Sequence, residues 1–236
     1  MLPTKKKILL KLTGEIFISP ESGKLSNSAL LNVINQIIHL RDTHIFGIVI
    51  GGGNFFRGTQ QGTALGISPS VAHQVGMLAT MMNALLIKDL FETHNLPATV
   101  LSAVDCPEVG PAISLQTISQ ALEQEKTIVF AGGTGNPFFT TDTNAILRGL
   151  QMEAQEIWKG THIDGVYDSD PAKNKSAQLI KQVSYATALE KKLAIMDATA
   201  FALAATHHQV VRIFSIFEDD ALIKAARNPQ FGSTIT

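Results

Sequence analysis

Short apolar runs alternate with helix-spaced stretches along the whole chain. Runs at 8–12, 46–50, 98–101, 127–130, 156–159 and 210–216 read as buried strands, with a short one at 233–235. Between them the apolar spacing becomes helical. Ser26 or Asn27 can cap a helix to about residue 41, with Leu30, Leu31, Ile34, Ile37 and Ile38 on one side. Pro69 opens a long helix to residue 92, whose apolar side is Val71, Val75, Leu78, Met82, Leu85, Leu86 and Leu90. Methionines 77, 81 and 82 read as packing. Further helices are expected at 115–125, 143–155, 184–190, 197–206 and 219–227, with a mobile stretch at 58–68 and a polar loop at 160–175. The alternation predicts an α/β fold, a mostly parallel sheet sandwiched between helices, with ligands at the carboxyl ends of its strands. No repeat or clear linker interrupts it. The expectation is one domain, 1–236, in two lobes of about 1–155 and about 156–236, with 160–175 as the seam.

The carboxyl ends of the strands are the most distinctive places. Four strands run into Lys11-Leu12-Thr13-Gly14, Gly51-Gly52-Gly53-Asn54, Gly132-Gly133-Thr134-Gly135 and Lys159-Gly160-Thr161. In one parallel sheet these segments converge on one edge. Their backbone N–H groups, with Lys11, Arg57 and Lys159, suit several phosphates rather than one. The densest signal is residues 130–142. Glycines there let a ligand reach the backbone, Pro137 stiffens the turn, and Phe138 and Phe139 offer flat faces. Thr140, Thr141 and Asp142 sit where a helix begins, a ready anion seat.

Composition narrows the class. At 236 residues, 45% hydrophobic and 17% charged, the chain is that of a folded globular protein. A formal net charge of −1 argues against a nucleic-acid surface or an anionic-membrane binder. The single cysteine, Cys106, excludes an internal disulfide and a cysteine-based metal site, as in a reducing compartment. Lys5-Lys6-Lys7 followed by Ile8-Leu9-Leu10 begins like a signal peptide, but Lys11 ends the run too early. A cytoplasmic enzyme is expected. No Gly-x-x-x-x-Gly-Lys-Ser/Thr loop occurs. Gly51-x-Gly53-x-x-Phe56 and Gly133-x-Gly135-x-x-Phe138 place a ring where a dinucleotide fold needs a small residue.

Several residues admit two readings. Lys11, inside an apolar strand, either snorkels to solvent or meets an anion. Asp142 is either an N-cap or a partner that positions Lys11. Arg57 is a surface arginine or a phosphate contact. Asp164, Asp168 and Asp170 lack the glycine and terminal glutamate of a calcium loop, and turn formation is the commoner use of such aspartates. The histidines show no zinc spacing, so no protein metal site is expected.

The segments Lys11-Leu12-Thr13-Gly14-Glu15, Gly51 to Gly58, Gly76 to Asn83, Gly133 to Asp142 and Asp164-Gly165-Val166-Tyr167 closely resemble the bacterial uridylate kinases. These form a branch of the amino acid kinase family, with its carbamate kinase-like fold. The resemblance runs from Lys7 to the carboxyl terminus. It implies transfer of a phosphoryl group from Mg-ATP to UMP, giving UDP for pyrimidine nucleotide biosynthesis. The first lobe would then hold UMP and the second ATP. By position, Lys11, Leu12, Thr13, Gly14, Gly53 and Arg57 would hold the ATP phosphates, and Thr161, Tyr167 and Asp170 the adenosine. Gly52, Thr134, Gly135, Asn136, Pro137, Phe138, Phe139, Thr140 and Thr141 would hold UMP. Lys11, Arg57, Asp142 and Asp197 would form the catalytic centre. His73 stands where the family usually has an aspartate at the UMP ribose, so UMP binding is expected to vary with pH near the ordinary histidine range, about 6 to 7. The resemblance further implies Mg2+ held by ATP phosphates and water, UTP feedback at the UMP site, and a homohexamer built as a trimer of dimers, with the 69–92 helix as a dimer face. The rival readings are a kinase of the same fold forming an acyl phosphate on acetylglutamate, aspartate or carbamate, and a nucleotide-binding regulator without turnover.

Overall fold

The computed structural model describes residues 5–193 and 195–236, except the side chains of Thr59 and Gln60. In chain order its elements are β1 (Lys6–Leu12), a 3-10 turn (Gly14–Phe17), α1 (Ser28–Leu40), β2 (His44–Ile50), α2 (Gly58–Ala64), α3 (Pro69–Thr93), β3 (Ala98–Ser102), α4 (Leu115–Glu123), β4 (Thr127–Ala131), α5 (Thr141–Gln151), β5 (Glu156–Thr161), β6 (Val166–Tyr167), β7 (Leu179–Ile180), β8 (Gln182–Val183), α6 (Tyr185–Glu190), α7 (Ala198–Thr206), β9 (Val211–Ser215), α8 (Ala221–Arg227) and β10 (Ser233–Ile235).

The main sheet runs β3-β4-β2-β1-β5-β9-β10-β8. Every pairing from β3 to β9 is parallel, and β10 runs antiparallel to β9. Side chains alternate across the sheet, so each central strand feeds two cores. Ile8, Leu10, Ile48 and Ile50 pack with α1, α3 and α8 on one face. Leu9, Val49, Ile128 and Phe130 pack with α4, α5 and α7 on the other. Helix starts are set locally. Ser68 accepts from the Val71 N–H with Pro69 next, and Ser114 with Thr117 forms a capping box for α4.

The structure departs from the sequence pattern at several places. Residues 58–64 of the stretch read as mobile form α2. The β5 strand continues to Thr161, and the loop after it contains β6, which pairs antiparallel with β7. Helix α5 spans Thr141–Gln151 rather than 143–155. Its cap is Thr140, whose hydroxyl accepts from the Asp142 and Thr143 N–H groups, so Asp142 is not the cap.

The largest correction concerns α3. Val71, Leu78, Met82, Leu85 and Leu86, read from the sequence as its apolar side, are exposed. The buried side is Ala72, Ala79, Thr80, Met81, Asn83, Ala84, Ile87 and Phe91. This helix is apolar on more than one side, so hydropathy alone does not choose the face. Close approach chooses it. A β-carbon added to Gly52 would lie 2.7 Å from Ala79 Cβ and 2.8 Å from the Gly76 carbonyl, so small residues must face the sheet edge. By length and composition α3 could cross a membrane, yet here its inner face belongs to the core.

Candidate active site

Adjacent β4, β2, β1 and β5 bring all four predicted loops to one edge. The β1 and β2 turns press on each other, since a β-carbon on Gly14 would lie 2.4 Å from Asn54 Oδ1 and 2.6 Å from the Gly51 carbonyl. Lys11 and Lys159 are register partners across β1 and β5. Lys11 has the parity of Leu9, and Lys159 that of Ile157, so both stand on the α5 face. There Asp142, in the first turn of α5, meets both. Lys159 Nζ is 2.6 Å from Asp142 Oδ2 and also donates to the Ile195 carbonyl at 2.6 Å. Lys11 Nζ is 3.2 Å from Asp142 Oδ1, an ion pair without an aligned hydrogen bond.

Two largely buried ammonium groups therefore share one carboxylate, with the Asp197 carboxylate also attracting Lys159, and the pair of cations suits an anion. The side chains of all three residues are only 15–16% exposed. Burial alone would raise the Asp142 carboxyl, but Lys11 and Lys159 outweigh it and hold it below the usual carboxylate range. Burial lowers Lys159 below the ordinary lysine range, with Asp142 pulling upward and Lys11 adding to the drop.

Beside this centre is a cavity of about 700 Å3. One wall is the β2 turn with Gly52, Gly53 and Arg57, and another is α3 with His73, Gly76, Met77 and Thr80. The remaining walls are the β4 turn, with Gly133, Thr134 and Asn136, and the start of α5, with Phe139, Thr140, Thr141 and Asn144. Buried polar groups of α3 hold the turns. Asn83 Nδ2 donates to the Gly51 carbonyl at 2.8 Å and exchanges amide hydrogen bonds with Asn54. Thr80 Oγ1 accepts from the Gly132 N–H at 3.0 Å. Gly132 has φ +74°, and a β-carbon there would meet the Val104 nitrogen at 2.9 Å, so the turn needs glycine for both reasons.

The predicted residues fall into groups. Gly52, Gly53, Arg57, His73, Thr134, Asn136, Phe139, Thr140 and Thr141 line the cavity, and Gly135, Pro137 and Phe138 do not. Phe138 is 65% exposed and packs its ring on His73 with centroids 5.2 Å apart. Leu12 is fully buried and offers only backbone, with its carbonyl bound by the Gly51 N–H. Thr13 caps the 3-10 turn through its hydroxyl. Asp197 is a brace. Its carboxylate accepts from the Thr140 and Thr143 hydroxyls and from the Thr199 and Ala200 N–H groups, tying α5 to the start of α7. Burial pushes its carboxyl up, and those hydrogen bonds outweigh it and bring it down. Thr161, Tyr167 and Asp170 lie away from the cavity. Tyr167 donates to Asp164, and Asp170 accepts from the Ala172 N–H within its own turn.

Sequence reasoning did not include Glu15, Asn83, Asn144 or Arg148 among the site residues, and gave Lys159 no role beyond a nearby cation. Glu15 bonds both Arg57 and His162 across the mouth of the site. Lys159 carried the same signal as Lys11, a cation inside an apolar strand. Asn83 carried another, an amide within an apolar helical run.

A parallel sheet whose edge gathers glycine turns around a buried cation pair is a phosphate-handling α/β architecture. The chain belongs to the amino acid kinase family, whose model matches residues 6–215. It is similar to a uridylate kinase of Coxiella burnetii (strain RSA 493 / Nine Mile phase I), 38% identical over 234 residues, 99% of this chain and 96% of the relative. A uridylate kinase of Pseudoalteromonas atlantica (strain T6c / ATCC BAA-1087) is 40% identical over 231 residues, 98% of this chain and 93% of the relative. The crystal structure of UMP kinase from Ureaplasma parvum superposes with a TM-score of 0.93 at 31% identity, over 98% of this chain and 99% of that one.

Proposed function

We infer that this chain is a UMP kinase, transferring the terminal phosphoryl group of ATP to UMP to give UDP and ADP. The observation that carries the reading is the Lys11–Asp142–Lys159 centre beside a cavity walled by the Gly133–Thr141 segment, in a chain similar over its length to uridylate kinases. Phosphoryl transfer needs in-line positioning and neutralisation of the equatorial oxygens more than covalent chemistry. UMP presents a phosphate oxygen as nucleophile, so no general base is needed. Lys11 and Lys159 stabilise the charge on the transferred group, with Arg57 reaching in from the mouth and Asp142 holding the two ammonium groups in place. Gly52, His73 and residues 134–141 hold UMP, and Thr13, Gly14 and Gly53 offer backbone to the ATP phosphates.

Asp142 and Asp197 are already committed to lysines and hydroxyls, and no cluster of three metal-binding side chains occurs among the described residues. Mg2+ therefore fits as an ion carried by the ATP phosphates and water, where it would neutralise their charge. The first lobe, about 1–155, is the UMP side, and the second, about 156–236, is the ATP side, where Thr161, Tyr167 and Asp170 meet adenosine. UTP would compete at the same uridine-holding cavity. The exposed apolar face of α3 supports a dimer within a homohexamer, and supply of UDP fits a soluble cytoplasmic enzyme of pyrimidine biosynthesis. Purified protein with Mg-ATP and UMP, CMP, acetylglutamate, aspartate or carbamate tests the reading. UDP formation alone is expected. An acyl phosphate product, or nucleotide binding without turnover, would overturn it.

A further inference from the structure

Arg148 is a buried cation with no carboxylate partner among the described residues, 4% exposed on α5. Its guanidinium donates from Nε to Asn144 Oδ1 at 3.1 Å, from Nη1 to Gln151 Oε1 at 2.7 Å, and from Nη2 to the Gly133 carbonyl at 3.0 Å. Burial lowers it only to about 10, so it stays charged at neutral pH. Arginine can only donate. The atom of Asn144 that faces it must therefore be the oxygen, which settles the orientation of an amide whose two ends otherwise look alike. Asn144 is itself 2% exposed and lines the cavity. Among the described residues its Nδ2 has no acceptor.

The position of that free donor is set by the helix. Asp142 and Asn144 are two residues apart on α5, about 200° around the axis. Asp142 reaches Lys11 and Lys159 at the ends of β1 and β5, whereas Asn144 is tied through Arg148 to Gly133 at the end of β4. Strand β4 lies two places from β1 in the sheet, about 10 Å away. An acceptor nucleotide with its phosphate set toward the cations would extend its base toward the cavity wall that Asn144 lines.

We propose that the Asn144 amide, locked by Arg148 with its NH2 toward the cavity, reads a ring carbonyl of the acceptor base and so selects uracil over cytosine. The inference rests on the UMP kinase reading of this site. Uracil carries a keto oxygen where cytosine carries an amino group, so a fixed donor bonds the first and faces a second donor in the other. A site built around such a hydrogen bond discriminates strongly against a base that cannot make it. Arg148 is the positioning residue, and Asn144 the one that touches substrate.

Asn144→Asp tests this at constant shape. It keeps an oxygen for Arg148 and replaces the cavity-facing donor with an acceptor. The expected result is a fall of ~10-fold or more in the ratio of kcat/KM for UMP to that for CMP, with the KM for ATP unchanged. Asn144→Ala, which deletes the donor without adding charge, should lower the same ratio by losing UMP activity while CMP activity changes little. A ratio left at its wild-type value in both variants overturns the proposal. So does an equal loss with both nucleotides, which would place Asn144 at the phosphate. Wild-type protein that makes no UDP would instead overturn the UMP kinase reading itself, so the two failures are distinguishable.

Discussion

The two sides of the charge centre are built differently. On the cavity side, buried side chains hold every turn: Asn83 holds Gly51 and Asn54, Thr80 holds Gly132, and Arg148 holds Gly133. Each is a polar group inside the fold whose loss leaves a buried peptide unpaired. On the far side, residues 166–180 form a hairpin, exposed over 168–176 and anchored at its base. Ser233, fully buried, accepts from the Val166 N–H at 2.8 Å and donates to the Ile180 carbonyl at 2.6 Å. Beyond that base the bonds are local, such as Tyr167 to Asp164 and Asn174 to Ser169. One half of the site is shaped before any ligand arrives. The other takes its shape from short-range turn chemistry.

Substitutions can break or sharpen this contrast. The largest effect belongs to the centre shared by both halves. Lys11→Ala should lower kcat by at least ~100-fold, the scale of one lost transition-state charge contact, with KM for UMP moving far less. A near-normal kcat in steady-state assays would move the phosphates elsewhere. Next is Asp142→Asn, which leaves two ammonium groups without their anion and should reduce kcat by ~10-fold or more, since removing one partner of a buried pair leaves uncompensated charge. The Asp142 carboxyl is held below its unfolded value by Lys11 and Lys159. Its stabilisation is therefore complete above the ordinary carboxylate range and is lost as pH falls through the lower folded value. Thermal melts taken from neutral pH into the acid range should show a steeper loss in wild type than in the Asp142→Asn variant, and equal slopes would contradict the ion pair.

Asn83→Ala probes the rigid half alone. Leaving the Gly51 carbonyl and the Asn54 amide unpaired should cost about 1–3 kcal/mol of stability and raise KM for UMP more than KM for ATP. Matching rises in the two KM values would erase the distinction between the halves. The smallest effect is expected for Tyr167→Ala. Among the described residues this side chain hydrogen-bonds only Asp164, so stability should change by no more than about 0.5 kcal/mol, while KM for ATP rises and KM for UMP stays put. A clear drop in melting temperature would show the hairpin to be as firmly built as the cavity.

Much of the architecture was legible along the chain. The strands at 8–12, 46–50, 98–101 and 127–130 differ from the observed ones by a residue or two, because buried parallel strands are continuous apolar runs between turns. The convergence of four glycine-bearing ends follows from parallel order alone. The small pieces β7 and β8 were not legible, since two-residue strands carry no periodicity. Helix α2 was missed because Gly58-Thr59-Gln60-Gln61-Gly62-Thr63-Ala64 has no apolar spacing and carries two glycines, which disfavour helix.

The order of strands and helices, the glycine turns and the two strand-borne lysines were set by the chain itself, because periodicity and backbone freedom are local properties. Which face of α3 lies inward was decided by tertiary packing, because a helix apolar on several sides must be chosen by fit against Gly52 rather than by hydropathy. The sharing of Asp142 by Lys11 and Lys159, and the orientation that Arg148 imposes on Asn144, likewise exist only once distant strands are in register. Hydrogen bonds and ion pairs between residues far apart in the chain leave no spacing to read.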